Sequence, residues 1–274
     1  CGQAGGGPAA DAGAQAGNEQ AEAPGEGTEA GADPGAAAVS GGTADAASGT
    51  AAEKTGAGEA PETLPDGWEA APEDAPELPG LACEARLSLT YAQAFDVYRY
   101  TDGYSLVDVH DSARYLVVPE GKAAPEGLSE EIVILQQPFE RIYLAATSAM
   151  SLFDALGSLD RIRMTGTRES GWYIDNAVKA MESGDMIFAG KYSEPDYELL
   201  IDEGCDLAIE STMIFHTPKV KEMIEELGIP VFIDRSTYEK HPLGRTEWIK
   251  AYGALAGKEA EAKAFFEEQA KIIS

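Results

Sequence analysis

Two hydrophobic rhythms divide this chain. Across residues 86–118, apolar and polar positions alternate in short runs rich in β-branched and aromatic side chains, the pattern of half-buried strands. Residues 86–91, residues 95–100 and the run ARYLVVPEG read as strands, and Asp102-Gly103 within YTDGYSLVDV marks a hairpin turn. A small antiparallel sheet of three or four strands is predicted, followed by a loop over GKAAPEGLSEE.

Beyond Phe139 the rhythm changes. RIYLAA, RIRMTG, DLAIES and IPVFID are short apolar runs of the kind that form buried strands. Between them the apolar period lengthens to that of a helix. Ala149, Leu152, Phe153 and Leu156 share one face, with Ser148 as the expected cap and Gly157 as the stop. Ile174, Ala177, Val178 and Met181 share another, ended by Gly184. SEPDYELLIDEG reads as a short helix, with Ser193 and Asp196 near capping-box spacing. Val220, Met223, Ile224 and Leu227 form a further face, opened by Thr217-Pro218 and closed by Gly228.

This alternation predicts an α/β fold: a Rossmann-like lobe whose parallel sheet is flanked by helices, preceded by the small antiparallel hairpin or sheet. Ligands meet such sheets at the carboxyl ends of the strands. Here those ends are residues 146–148, 165–168, 210–216 and 234–235. The last thirty residues predict a helix, a break at Gly257 and a second helix from about Lys258, with Ala262, Phe265, Phe266 and Ile273 on one side. A helix stopping at its apolar face leads us to expect that the chain is a piece of a longer protein.

Composition adds a third region. Residues 1–80 hold fifteen Asp and Glu against one base, Lys54, half of the formal charge of −28. Their only large apolar side chains are Val39, Leu64, Trp68 and Leu78. So little apolar surface cannot offset chain entropy, so a disordered acidic tether is predicted there. The expected order is a tether over 1–80, a β subdomain over 81–138, an α/β lobe over 139–257 and a final helix over 258–274.

The rest of the chain is acidic too, with no basic stripe, which argues against a nucleic-acid partner. No run of about eighteen apolar residues is present to span a membrane, and the N-terminus shows no apolar signal core. Cys1, Cys83 and Cys205 have no metal-binding spacing. Cys205 reads as a buried structural thiol, and a Cys83–Cys205 disulfide has no positive support. His110, His216 and His241 lie far apart without a helical pair, so no metal site is expected.

Catalytic signals are weak. No nucleophile elbow surrounds TSAMS, and GTRESG lacks the Walker spacing and lysine. Arg168 follows a strand end and can hold an anion there, or pair with Glu169 or Asp175 on the surface. Trp172 and Tyr173 are adjacent, so they cannot both face the helix core, and at least one lines a cleft or covers a surface. His216 is either a loop residue or a ligand contact. Glu194, Asp196 and Glu198 form an acidic face at a helix start.

Four stretches carry a resemblance. FERIYLAATSAMSLFDALGSLDRIRMTG, SEPDYELLIDEGCDLAIES, KVKEMIEELGIPVFID and EWIKAYGALAGKEAEA, in that order, resemble substrate-binding proteins of ABC importers for iron-siderophores, haem and cobalamin. The match runs over about residues 139–274. It implies a two-lobed fold in which this chain holds the N-terminal lobe and the start of a long interlobe helix, the second lobe lying elsewhere. It implies binding rather than catalysis, with no cofactor. The ligand would be an iron or cobalt complex touched by Thr147, Ser148, Arg168, Trp172, Tyr173, Met213 and His216. It also implies an ABC permease and its ATPase as partners, docked through Glu198 or, second, Glu194. The strands before residue 120 and the long RESGWYIDNAVKAMESGDMIFAG link depart from that family's core. Within this frame Cys1 reads as a lipid-carrying cysteine on the outer face of a bacterial plasma membrane, its signal peptide removed and its tether leashing a monomeric lobe. A surface-anchored sensor or adhesion module reusing the lobe is the alternative from another class, and a hydrolase-like enzyme is weaker because no base stands beside a nucleophile.

Overall fold

The computed structural model describes residues 64–273. Its first six strands are β1 (Trp68–Ala70), β2 (Cys83–Leu87), β3 (Phe95–Tyr100), β4 (Ser105–Val109), β5 (Ala113–Val118) and β6 (Ile132–Gln136), and they form one sheet in chain order. The β3–β4 hairpin turns where predicted, with Asp102 and Gly103 at φ of 62° and 82°. Pairing is antiparallel from β1 to β5, but β6 lies parallel to β5. A parallel return needs a connection of roughly a dozen residues, which the predicted GKAAPEGLSEE loop supplies.

Two expectations change here. The sheet has six strands rather than three or four. The tether, expected to reach residue 80, yields by Trp68, which opens β1, and Leu78 is buried at 6% exposure. Trp68 pairs with Leu87 of β2 and stacks beneath the Arg99 guanidinium at 4.1 Å. Residues 1–63, the rest of the tether with Cys1, lie outside the described residues.

The second half builds a parallel sheet. Its elements are β7 (Ile142–Leu144), α1 (Thr147–Ala155), β8 (Ile162–Thr165), α2 (Asp175–Ser183) and β9 (Ile187–Phe188). A hairpin of β10 (Gly190–Lys191) and β11 (Glu194–Pro195) precedes α3 (Tyr197–Asp202), β12 (Leu207–Ser211), α4 (Pro218–Glu226) and β13 (Val231–Asp234). The strand order is β13-β12-β7-β8-β9, all parallel. The chain then forms α5 (Pro242–Glu247), α6 (Ile249–Ala256) and α7 (Glu259–Ile273).

Alternation along the strands sorts the core. Tyr143, Met164, Ala208 and Ile233 meet Leu200 of α3 and Ile224 of α4 on one face. Leu144, Ile209 and Phe232 point the other way, toward Phe153 of α1, Ala177 of α2 and Tyr252 of α6. That second core is continuous with one face of the antiparallel sheet, so residues 81–138 are not a separate subdomain. Phe95 packs on Trp248 with ring centroids 4.9 Å apart, and Tyr115 packs on Phe232 at 4.7 Å. The Tyr115 hydroxyl also accepts the Ile233 N–H at 3.0 Å, occupying a donor on the edge strand β13. Every residue of α6 is buried, because both sheets close over it.

The final helix was expected to be the start of an interlobe helix. α7 packs against α5 and α6. A Cβ at Gly253 would come within 2.7 Å of the Ala262 Cβ, so only glycine permits this approach of α6 to α7. Ala262 and Phe266 are buried, and Phe266 meets Tyr91 edge-on. The apolar side read from the sequence is therefore covered over most of its length, with Ile272 and Ile273 left exposed.

The two sheets are joined through main-chain groups of the β2–β3 loop. The N–H groups of Thr90, Tyr91 and Ala92 donate to the fully buried Glu247 carboxylate at 2.9, 2.7 and 2.8 Å. Those of Gln93 and Ala94 donate to Glu239 at 2.9 Å each, and the Trp248 indole N–H joins them at 3.0 Å. Lys250 donates to Glu247 at 2.7 Å and supplies the balancing charge. Removing one partner of a buried ion pair costs about 3–5 kcal/mol, since the other charge stays behind. Glu247→Ala should lose about that much unfolding free energy in urea, whereas a loss under about 1 kcal/mol would show that the staple contributes little.

Candidate functional site

The carboxyl ends of the parallel strands border an open cleft of about 510 Å³. Ala145 enters it after β7, and Thr147 and Ser148 from the first turn of α1. Gly166 and Thr167 follow β8, Ser211 ends β12, and Thr212 and Met213 follow it. Thr237 and Tyr238 come from the turn after β13, and Tyr192 from the tip of the β10–β11 hairpin. That hairpin depends on Gly190 at φ 83°, where a Cβ would lie 2.3 Å from the Glu194 carbonyl oxygen.

Hydrogen bonds fix several of these hydroxyls. Thr212 Oγ1 and the Tyr238 hydroxyl lie 3.1 Å apart, one donating to the other, while Arg235 stacks on the Tyr238 ring at 4.5 Å. Ser148 donates to Asp234 Oδ1 at 3.3 Å. The same buried carboxylate accepts the Ser236 N–H at 2.9 Å, the Ser236 hydroxyl at 2.6 Å and the Tyr252 hydroxyl. Asp234 thus ties the start of α1 to α6. The expected cap role of Ser148 gives way to this bond, since Ala146 takes the N-cap position of α1. Thr217 does precede α4, but its hydroxyl turns back to the Ile214 carbonyl. Asp196 caps α3 by accepting the Leu199 N–H at 3.0 Å.

Of the seven expected ligand contacts, Thr147, Ser148 and Met213 line the cleft. The other four lie outside its lining. The chain turns away at Arg168 through a single tight turn, Glu169–Gly171. Arg168 then sits 4.2 Å above the Phe188 ring, Trp172 is buried in the core, and Tyr173 is 95% exposed. The pair does split between core and surface, as adjacent aromatics must, but neither ring reaches the cleft. His216 is exposed at the end of the turn after β12. His110 bonds Gln93 and Asp96, and the His241 ring nitrogen accepts the Leu243 N–H at the start of α5. Among the described residues, no group of three or more His, Cys, Asp and Glu is arranged to hold a metal ion. Glu198 and Glu194 are exposed on and just before α3, with Glu194 paired to Lys191 at 3.1 Å. Cys83 and Cys205 are free, and burial pushes the Cys205 thiol up to about 12.

Sequence reasoning passed over Thr167, Ser211 and Thr212 although they lie in the strand ends it named. Tyr192, Thr237 and Tyr238 arrive on connecting turns, where no periodicity marks them. It also missed Glu210, fully buried on β12 one position before Ser211. Among the described residues neither carboxyl oxygen has a hydrogen-bond partner, and burial pushes the pKa up to about 8.

Glu210 therefore remains a neutral acid in the fold at pH 7, while in the unfolded chain it ionises near 4.3 or so. Between those values the folded state holds a proton that the unfolded state has lost. Stability must fall as pH rises through this window, by about 1.4 kcal/mol per unit, and level off above it. Glu210→Gln keeps the shape without the ionisation. Its stability advantage over the unsubstituted protein in urea should grow from pH 5 to pH 8, and parallel pH profiles would contradict this.

No protein-family model matches the chain. An uncharacterized lipoprotein of Methanocaldococcus jannaschii is 30% identical over 157 residues, 53% of this chain and 36% of that protein. The chain thus spans about a third of that curated relative's length. Among solved structures, Staphylococcus aureus SirA complexed with staphyloferrin B is matched at 19% identity with a TM-score of 0.35, over 47% of this chain and 40% of that one. A periplasmic haem-binding protein of Pseudomonas aeruginosa is matched at 20% identity and TM-score 0.39, over 48% and 43%. The petrobactin-binding protein YclQ of Bacillus subtilis is matched at 18% and 0.38, over 48% and 43%. Each of these likenesses covers about half of this chain.

Proposed function

We propose that this chain supplies the ligand-binding lobe of an extracytoplasmic solute-binding lipoprotein. Its ligand is a metal chelate, an iron-siderophore first, with haem and cobalamin as further types, and it delivers that ligand to an ABC importer. The observation that carries the reading is the open, hydroxyl-rich cleft at the carboxyl ends of four of the five parallel strands, where sheets of this kind take ligands. The resembling stretches support it, since three of the four build α1, α3, α4 and the strands that border the cleft, and the fourth builds α6 and the start of α7. Binding rather than catalysis is supported by the hydroxyls themselves. Ser148 donates to a carboxylate that already takes three other donors, and no imidazole lines the cleft to accept its proton.

Thr147, Ser148 and Met213 are the proposed contacts among those expected. The test is a fluorescence titration of the full-length protein with ferric siderophores, haemin and cobalamin, reading tryptophan quenching. Saturable quenching by at least one is expected, and a flat response to all would overturn the reading.

Docking to the permease is proposed to use Glu198, whose carboxylate stands exposed in the first turn of α3. Glu198→Lys should abolish uptake in cells while leaving ligand affinity in solution unchanged. Uptake at the unsubstituted rate would exclude that role.

Anchoring through a diacylglyceryl group on Cys1 belongs to the same proposal. It is supported by the acidic, Ala- and Gly-rich sequence after the cysteine and by a relative described as a lipoprotein. Mass spectrometry of the native protein should find the lipid on that thiol, and a bare Cys1 would contradict it.

A further inference from the structure

The lining of the cleft narrows the ligand class, given that the protein binds a solute there. None of its residues carries a charged side chain. Thr147, Ser148, Thr167, Ser211, Thr212 and Thr237 contribute aliphatic hydroxyls, and two tyrosines add phenolic ones. The cations nearest in sequence lie behind the lining or away from it. Arg168 lies over Phe188, and Arg235 is stacked behind Tyr238, donating to the Asp111 carbonyl at 3.3 Å with its buried Nε unpartnered. Lys191, beside Tyr192, is paired with Glu194. Glu210, next to Ser211 in the chain, is buried and burial favours its neutral form, while the carboxylate that does approach the lining, Asp234 beneath Ser148, is an acceptor and not a cation. The chain as a whole is strongly anionic at −28.

An anionic ligand brought into this cleft loses hydration and finds no guanidinium or ammonium among the lining side chains in return. The first turn of α1 offers only the partial positive charge of a helix start, about half an elementary charge. That suits a carbonyl oxygen. Hydroxyls pair well with amide, carbonyl and hydroxyl groups, which they can meet as donor or acceptor.

We infer that the ligand face received by this cleft is uncharged and rich in carbonyl, amide or hydroxyl groups, as on a ferric tris-hydroxamate or a corrinoid, rather than carboxylate or catecholate. This rests on the solute-binding reading. A ferric tris-catecholate carries three negative charges, concentrated on the catecholate oxygens around the iron.

The test is a set of tryptophan-quenching titrations of the full-length protein with ferrichrome, cyanocobalamin and ferric enterobactin. At least one neutral chelate should bind about 100-fold tighter than ferric enterobactin, or more. Ferric enterobactin binding as tightly as both neutral chelates, or tighter, overturns this inference and leaves the solute-binding reading standing. No binding of any of the three, with haemin and ferric citrate also silent, overturns both. A second arm uses Thr167→Arg, which adds a cation to the lining. It should improve ferric enterobactin binding about tenfold or more, and an unchanged affinity would show that lining charge does not set the preference.

Discussion

Two buried carboxylates hold this molecule together. The loop between β2 and β3 brings five consecutive main-chain N–H groups, from Thr90 to Ala94, into a region without strand partners. Donors buried without acceptors cost about 1–3 kcal/mol each, so the loop can pack here only if oxygen atoms meet it. Glu247 and Glu239 provide them from α5 and from the turn before it. Charged acceptors make the stronger hydrogen bonds, and several on one carboxylate offset its desolvation. Lys250 completes the balance from one turn farther along, with its ammonium also donating to the Ser88 carbonyl at 3.0 Å. The antiparallel sheet, α5 and α6 are thereby fixed to one another.

Held in this way, α6 is a buried helix that serves two neighbours. On one side Trp248, just before it, and Tyr252 within it make contact with Phe95, Phe153 and Phe232. On the other, the Tyr252 hydroxyl reaches Asp234 at the end of β13. The staple, the helix and the floor of the cleft are consecutive links in one chain of contacts. The antiparallel sheet supports the cleft without lining it, which gives a physical role to strands that stand apart from the alternating α/β pattern.

Much of this architecture was legible in the residues. The shift from period two to period 3.6 after Phe139 marks where the parallel sheet begins, and Gly157, Gly184 and Gly228 mark helix ends through their positive φ. Strand ends named from apolar runs do border the cleft. The illegible parts share a cause, which is that long-range contacts decide them. Trp68 becomes part of a strand by pairing with Leu87, with Arg99 over its ring, and β6 finds a parallel partner across a long loop. Trp172 goes to the core because its turn folds inward, a choice no local pattern records. Tyr192 and Tyr238 reach the cleft on turns whose direction depends on the packed sheet. Glu210, an acid at an apolar strand position, looks from sequence like any polar strand end.

The bond from Ser148 to Asp234 has a directional consequence. A hydroxyl has one proton, and here it points down toward the carboxylate. Ser148 therefore turns its lone pairs, not its proton, toward the cleft. Thr212 and Tyr238 share a bond as well, so one of the two has likewise given its hydrogen to its neighbour. The cleft thus has a grain: Ser148 can only receive because Asp234 takes its proton from beneath, and of Thr212 and Tyr238 one has its proton turned sideways to the other.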